Sequence, residues 1–177
     1  MQGFDYSSNN IYFVTICVKD RKCCFGEIVG TARELSVQDF NHNSNDSNHN
    51  KKESNFKMVL SKYGSIVQDR LQWLSSQYLY VEIHNFVVMP NHVHAVIEID
   101  SLKTQNDEVK IKSLSSLMGA FKTTSSKSIH KIGFLDFAWQ RSFHDHIIRN
   151  EKSYKNIMNY IDLNPEKWHQ DSFFINR

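Results

Sequence analysis

Two apolar, β-branched runs on either side of Met89-Pro90-Asn91 restrict the folds open to this chain more than any other segment. Residues 80–89 and 92–100 are rich in Val, Ile and Phe, a composition typical of strands. Proline fixes one turn dihedral and asparagine tolerates the next, so the residues between the runs favour a tight reversal. The sequence therefore predicts a β-hairpin.

Two further strands and three helices are predicted around this hairpin. Residues 11–18 form an unbroken aromatic and β-branched run, which indicates a mostly buried strand, and residues 142–149 resemble a fourth strand. Ser61 is a good N-cap for a helix that continues to about Ser76. A second helix is marked by apolar residues at helical spacing, namely Leu114, Leu117, Met118, Phe121 and Ile129.

The third helix is predicted over residues 151–163, with Tyr154, Ile157, Met158 and Ile161 at buried spacing. The element order is thus β-α-β-β-α-β-α, which predicts an α+β, ferredoxin-like (RRM-like) fold whose four-stranded sheet is antiparallel and whose last helix is an addition.

The length of 177 residues suits a single domain spanning 1–177. Residues 41–55 are mostly Asn, Ser, His, Asp and Lys, so we expect a disordered surface insertion there. Three clustered cysteines lack the paired spacing of a zinc or redox site. With no run long enough for a membrane span, we expect a cytoplasmic protein without membrane contact.

The sequence His92-Val93-His94 opens the second strand of the hairpin. Strand alternation places both imidazoles on one face and Val93 on the other, against the helices. Two converging nitrogen donors favour a divalent metal with open positions for substrate. A second pair, His144 and His146, is the rival for that metal, and we favour a structural or substrate-positioning role for it.

Tyr160 and Asn164 lie four residues apart near the end of the third helix, so they lie nearly one above the other. Pro165 disfavours helical geometry at Asn164, which predicts that the pair occupies the last turn. A tyrosine at a helix end is usually a packing residue, and this position alone does not identify a nucleophile.

Several segments in order resemble the REP-associated tyrosine transposases, which are single-tyrosine transposases of the HUH endonuclease superfamily. The resemblance covers the chain except the Asn-rich insertion and both ends. It rests on Tyr12-Phe-Val-Thr-Ile-Cys, Cys24-Phe-Gly, Leu60-Ser-Lys-Tyr-Gly, Phe86-Val-Val-Met-Pro-Asn-His-Val-His, Trp139-Gln-Arg-Ser-Phe-His-Asp-His-Ile-Ile-Arg and Tyr160-Ile-Asp-Leu-Asn-Pro.

The resemblance implies that His92, His94 and Asn164 bind Mg²⁺ or Mn²⁺ and that Tyr160 is the nucleophile. Asn164 stands where relatives often have glutamine, and both amides offer a carbonyl oxygen. The implied reaction cuts and rejoins single-stranded, hairpin-forming palindromic DNA through a 5′-phosphotyrosine and a free 3′-hydroxyl. The resemblance also favours a monomer over a homodimer.

Four residues are candidates for DNA contact. Lys122, Arg141 and Arg149 could bind phosphate, and Trp139 could stack on a base. Lys122 is also a candidate for activating Tyr160. Two alternatives remain open, a non-catalytic module that binds single strands on the same fold and a hydrolase in which the metal activates water.

Overall fold

The computed structural model describes residues 10–30, 56–104 and 109–174. The insertion predicted at 41–55 lies outside them. The described residues form six strands and three α-helices, which are β1 (Asn10–Cys17), β2 (Gly26–Val29), β3 (Lys57–Leu60), α1 (Lys62–Gln77), β4 (Val81–Val88), β5 (His92–Ile99), α2 (Leu114–Lys131), β6 (His144–Ile148) and α3 (Glu151–Leu163).

The main sheet has four antiparallel strands in the order β4-β5-β1-β6. Strands β4 and β5 form the predicted hairpin, and the backbone N–H of Met89 donates to the carbonyl oxygen of His92 at 2.8 Å across its turn. This strand order, with helices after the first and third strands of the sheet, is the ferredoxin-like arrangement. The predicted α+β fold is confirmed.

A second, two-stranded sheet pairs β2 with β3 in antiparallel register, from Gly26 opposite Leu60 to Val29 opposite Lys57. This sheet was not predicted from the sequence. Each strand has four residues, too few for alternation to stand out from a loop. Gly26 has φ +141, and an added Cβ would lie 2.1 Å from the carbonyl oxygen of Val59, so the close approach of β3 requires glycine here.

Helices α1 and α2 cover one face of the main sheet. Ser61 caps α1 as predicted, since its hydroxyl accepts from the backbone N–H groups of Tyr63 and Gly64, both at 3.2 Å. Four fully buried side chains of β5 pack against these helices, namely Val93, Ala95, Ile97 and Ile99. Within the described ranges no helix is both long and apolar enough to cross a membrane.

Helix α3 lies on the opposite face of the sheet. There it packs on a smaller apolar cluster built on Val96, Ile148 and Ile161. The helix ends at Leu163, and Asn164 keeps helical angles (φ −60, ψ −42) although proline follows it. Tyr160 and Asn164 therefore lie at the end of the helix as predicted, above the part of the sheet that carries His92 and His94.

Candidate active site

Strand β5 carries both histidines onto the face that α3 covers. His92 lies opposite Cys17 of β1, and His94 lies opposite Thr15. Their Nε2 atoms are 3.0 Å apart, and both side chains are buried, with 0% and 2% exposure. The alternation of β5 thus brings two imidazole nitrogens to one point, as the sequence predicted.

Asn91 fixes the tautomer of His92. The Asn91 amide nitrogen donates to two carbonyl oxygens, of Arg21 at 3.1 Å and of Phe173 at 2.8 Å. The amide oxygen is therefore the atom that faces His92 Nδ1 at 2.8 Å, and Nδ1 must carry the hydrogen. His92 in its neutral form then presents an unprotonated Nε2 to the site, which is the form a metal ligand needs.

Thr15 orients His94 in the same way, because its hydroxyl lies 2.8 Å from His94 Nδ1. A hydroxyl both donates and accepts, so Thr15 supports a hydrogen on either ring nitrogen. When Nδ1 donates to Thr15, the Nε2 lone pair of His94 is free beside that of His92. The ring of Phe13 stacks on His94 with centroids 5.3 Å apart and restricts its rotation.

Burial keeps both imidazoles uncharged at neutral pH. Desolvation lowers the pKa of His94 to about 3, and desolvation with the neighbouring His94 holds the pKa of His92 well below its usual range. Two neutral, oriented imidazoles with little access to protons are good ligands for a divalent cation.

Tyr160 reaches the histidines from α3. Its hydroxyl lies 3.2 Å from His94 Nε2, and the edge of its ring meets Phe13 with centroids 6.0 Å apart. The side chain is 41% exposed, so solvent and substrate have access to it while the histidines are covered. Desolvation and the nearby charge of Asp171 raise the pKa of the phenol, whereas a hydrogen bond from Asn164 lowers it.

Two oxygen donors complete the cluster. Asn164 is 2% exposed, and its amide oxygen has no hydrogen-bond partner among the described residues. Asp171 Oδ2 lies 3.9 Å from His92 Nε2, and that side chain is 5% exposed. Burial raises the pKa of the Asp171 carboxyl, and hydrogen bonds from the Phe173 backbone and from Asn164 lower it. His92, His94 and Asp171 form a group that could hold a metal ion.

These donors fit a divalent cation. Two ligands about 2.1 Å from an octahedral metal, at right angles to each other, lie about 3.0 Å apart. That separation matches the distance between His92 Nε2 and His94 Nε2. A buried amide oxygen without a donor, such as that of Asn164, costs free energy that a bound cation would relieve.

A second group of described residues that could hold a metal ion, Glu82, His84 and Glu98, lies on β4 and β5, where Lys103 already contacts both carboxylates. Lys103 contacts Glu82 at 2.6 Å and Glu98 at 2.8 Å, and His84 lies 3.2 Å from Glu98. His84 also lies 2.9 Å from the Tyr154 hydroxyl, which ties α3 to β4. These contacts position the helix that carries Tyr160.

The rival pair, His144 and His146, lies on the edge strand β6. His144 is opposite Thr15 and His146 is opposite Phe13, so both imidazoles point to the α3 face. Both are exposed, in contrast to the pair on β5. Neither belongs to the groups of described residues that could hold a metal ion.

The structure places two of the four proposed DNA contacts in structural roles. The indole N–H of Trp139 donates to Ser125 Oγ at 3.0 Å, and its ring packs on Phe25 and Phe121 in the core. Trp139 is 9% exposed, so a base cannot stack on it in this arrangement. Trp139 is a core residue and not a stacking platform.

Lys122 holds the loop that leads into β6. Its ammonium donates to the carbonyl oxygens of Gln140, Arg141 and Ser142 at 2.9, 3.2 and 3.1 Å. These bonds use its three donors, which leaves none for a phosphate or for Tyr160. Burial also lowers its pKa. Arg141 and Arg149 remain exposed, on either side of β6.

Three residues of the site were missed from the sequence. Thr15 and Asn91 each had a signal, because Thr15 is a polar residue inside an apolar strand and Asn91 directly precedes a predicted ligand. Asp171 had none, since it follows α3 in a short irregular segment with no periodicity.

Comparisons with known proteins support the fold assignment. A REP-associated tyrosine transposase, whose structure was solved bound to a REP hairpin, superposes with a TM-score of 0.53 over 94% of this chain and 73% of that chain, at 19% identity. This chain has the fold of a tyrosine transposase. A transposase candidate from Deinococcus radiodurans R1 has a TM-score of 0.47 at 14% identity, over 92% of this chain and 95% of that chain.

In sequence, the chain is 29% identical over 188 residues to an uncharacterized protein of Haemophilus influenzae, covering 99% of this chain and 91% of that protein. No family model matches the sequence. The likeness to the REP-associated tyrosine transposase therefore supports a transposase-like fold.

Proposed function

We propose that this protein is a single-tyrosine transposase that nicks and rejoins single-stranded DNA. The observation that carries the proposal is the placement of the Tyr160 hydroxyl 3.2 Å from His94 Nε2, itself 3.0 Å from His92 Nε2. A half-exposed tyrosine beside two neutral, buried histidines combines a nucleophile that a large substrate can reach with a site suited to a cation.

His92, His94 and Asn164 would hold Mg²⁺ or Mn²⁺. The bound cation supplies Lewis-acid polarisation of the scissile phosphate and offsets the charge that develops on it. Asn91 and Thr15 orient the two imidazoles. A half-turn of the Asn164 amide exchanges its oxygen and nitrogen, so the oxygen can serve as a ligand while the nitrogen is released from Tyr160.

Tyr160 would attack the phosphorus in line with the departing 3′ oxygen. A bond forms between the tyrosine oxygen and phosphorus, and the bond between phosphorus and the 3′ oxygen breaks. The phenol loses its proton, and the 3′ oxygen gains one. The products are a 5′-phosphotyrosine and a 3′-hydroxyl, and the reverse attack by a 3′-hydroxyl rejoins DNA without ATP because the number of phosphodiester bonds is conserved.

Single-stranded DNA that folds into hairpins is the substrate we propose. The similar REP-associated tyrosine transposase was solved with a REP hairpin. Arg141 and Arg149 are exposed on either side of β6, whose His144 and His146 point to the face that carries Tyr160. A single strand that runs along β6 beside Tyr160 would pass both arginines, which suit phosphate contacts.

The test uses labelled single-stranded hairpins, Mn²⁺ or EDTA, and a denaturing gel. We expect a metal-dependent covalent adduct with wild type and none with Tyr160→Phe. Tyr63→Phe is the matched control, because Tyr63 packs on Phe134 at the opposite face of the sheet. Cleavage that persists in Tyr160→Phe would favour activated water instead, and binding without cleavage would favour a non-catalytic module.

A further inference from the structure

The segment after α3 folds back over the histidine pair. Arg21 donates to the carbonyl oxygen of Ser172 at 2.9 Å, and Asn91 donates to that of Phe173 at 2.8 Å. The Phe173 ring lies over His92 with centroids 4.7 Å apart. These contacts come from the loop after β1, from the hairpin turn and from β5, so they fix the segment at the site from several directions.

Within this segment, Asp171 is held in a defined orientation. The backbone N–H of Phe173 donates to Asp171 Oδ1 at 2.7 Å, which closes a local turn. Oδ1 is thereby occupied, and Oδ2 is the oxygen that faces His92 Nε2 at 3.9 Å. That separation is too long for a hydrogen bond but suits two ligands of one cation.

The charge of Asp171 is only partly compensated. Among the described residues no lysine or arginine lies within ion-pair distance of this carboxylate, whose partner is the neutral His92, and the more distant charge of Arg21 lowers its pKa. The side chain is 5% exposed, so water does little to stabilise the charge. A buried carboxylate is costly unless a cation or several donors compensate it.

Two acceptor atoms face each other beside the histidine pair. Asn91 leaves His92 Nε2 without a hydrogen, and the Asp171 carboxylate oxygen lies 3.9 Å from it. The lone pairs of these two atoms repel one another, and a divalent cation would compensate both.

We infer that Asp171 is a further ligand of the metal that His92 and His94 hold, an inference that rests on the proposed function. With Asp171 the site has two nitrogen and two oxygen donors, a set that suits Mn²⁺ and Mg²⁺ better than imidazoles alone because carboxylate is their preferred ligand. The carboxylate also lowers the net charge of the occupied site from +2 to +1.

The test measures Mn²⁺ affinity from the electron paramagnetic resonance signal of free Mn²⁺, with no DNA present. Asp171→Asn keeps an oxygen for the Phe173 N–H, so the local turn is retained, while it removes the charge and replaces the second oxygen with an amide nitrogen. We expect the Mn²⁺ affinity of this variant to fall at least about tenfold. Asp136→Asn, at an exposed aspartate in the loop after α2, is the matched control and should bind as wild type does.

Thermal unfolding with and without Mn²⁺ separates a ligand from a merely structural residue. A ligand role predicts that Mn²⁺ raises the Tm of wild type more than that of Asp171→Asn. A structural role predicts an equal loss of Tm in both conditions, and that result would overturn the inference. Wild type that binds no Mn²⁺ would also overturn it.

The two proposals fail in different ways. If His94→Gln abolishes Mn²⁺ binding while Asp171→Asn retains it, Asp171 is not a ligand and the proposed function stands. If Asp171→Asn keeps its Mn²⁺ affinity and forms the DNA adduct faster, Asp171 blocks the site and the inference is wrong. If Asp171→Asn loses Mn²⁺ affinity but wild type forms no adduct on any hairpin, the proposed function fails and the ligand assignment survives.

Discussion

The two histidine pairs of this protein share a spacing and a sheet face but differ in their surroundings. His94 on β5 and His144 on β6 both lie opposite Thr15 of β1, so one row of the sheet contains both imidazoles. The pair on β5 is buried and held by Asn91 and Thr15, whereas the pair on β6 is exposed at the sheet edge. The spacing of two histidines on a strand therefore does not decide whether the pair suits a metal ion. The groups that orient the rings and exclude water distinguish the two pairs.

Removal of one imidazole from each pair gives the largest expected contrast. His94→Gln should abolish Mn²⁺ binding and lower the rate of adduct formation by about a hundredfold to a thousandfold, because the metal contributes several kcal/mol to stabilising the transition state. His144→Gln, at the opposite side of Thr15, should bind Mn²⁺ as wild type does. Mn²⁺ titration measures the affinity, and denaturing gels of single-turnover reactions measure the rate of adduct formation. If both variants lose affinity and rate equally, the two pairs act as one site.

Acid should destabilise the protein through the buried pair. In the unfolded chain His94 titrates near its ordinary pKa of about 6.5, and in the folded protein burial lowers that pKa to about 3. Between these values the unfolded chain binds more protons, so the free energy of unfolding falls as pH falls. From pH 7 to pH 5 the contribution of His94 is about 2 kcal/mol.

Urea unfolding in EDTA at the two pH values measures this effect. His94→Gln should lose less stability than wild type on going to pH 5, and His146→Gln, at an exposed position, should follow wild type. A pH dependence that is the same in wild type and in His94→Gln would show that His94 is not buried in its neutral form.

Removal of the hydrogen bond that orients His94 should lower Mn²⁺ affinity less than removal of the His94 imidazole itself. Thr15→Val keeps the shape of the side chain and removes the hydroxyl that contacts His94 Nδ1. We expect Mn²⁺ affinity to fall by about tenfold to a hundredfold, as is typical when the partner of a ligand is removed. Unchanged affinity would show that burial and the stacked Phe13 ring suffice to hold the imidazole.

The smallest effect is expected at the arginines beside β6. Arg141→Gln or Arg149→Gln should weaken binding of a single strand slightly and reduce the slope of log affinity against log salt by about 0.7 for each phosphate contact that is lost. Fluorescence anisotropy across a salt series measures the slope. Arg70→Gln is the control, because Arg70 is on α1 at the opposite face of the sheet. A change of slope as large in this variant would contradict the proposed path of the DNA past Arg141 and Arg149.

The parts of this structure that could be predicted from the sequence are those that a local pattern of residues determines. The strand that holds His92 and His94 and the helix that holds Tyr160 follow from alternation and from 3.6-residue spacing, and both were predicted. Trp139 and Lys122 were assigned to DNA from residue type alone, and the structure shows that the first is buried in the core and the second has its three donors bound to a loop.

Asp171 could not be predicted, because its position depends on contacts with Arg21 and Asn91, which are distant in sequence. The same holds for Thr15, whose importance appears only when the register of β1 with β5 places it opposite His94. Contacts between distant segments decide which polar residues form the site, and periodicity does not contain that information.

The most direct test of the account is to locate the covalent bond. Wild-type protein is incubated with a single-stranded hairpin and Mn²⁺, the trapped adduct is digested with nuclease and protease, and the peptides are sequenced by mass spectrometry. We predict a nucleotide 5′-phosphate on Tyr160 in the peptide of α3, and no modification of Tyr154 on the same helix. An adduct at any other residue, or cleaved DNA without an adduct, would contradict the assignment of Tyr160 as the nucleophile.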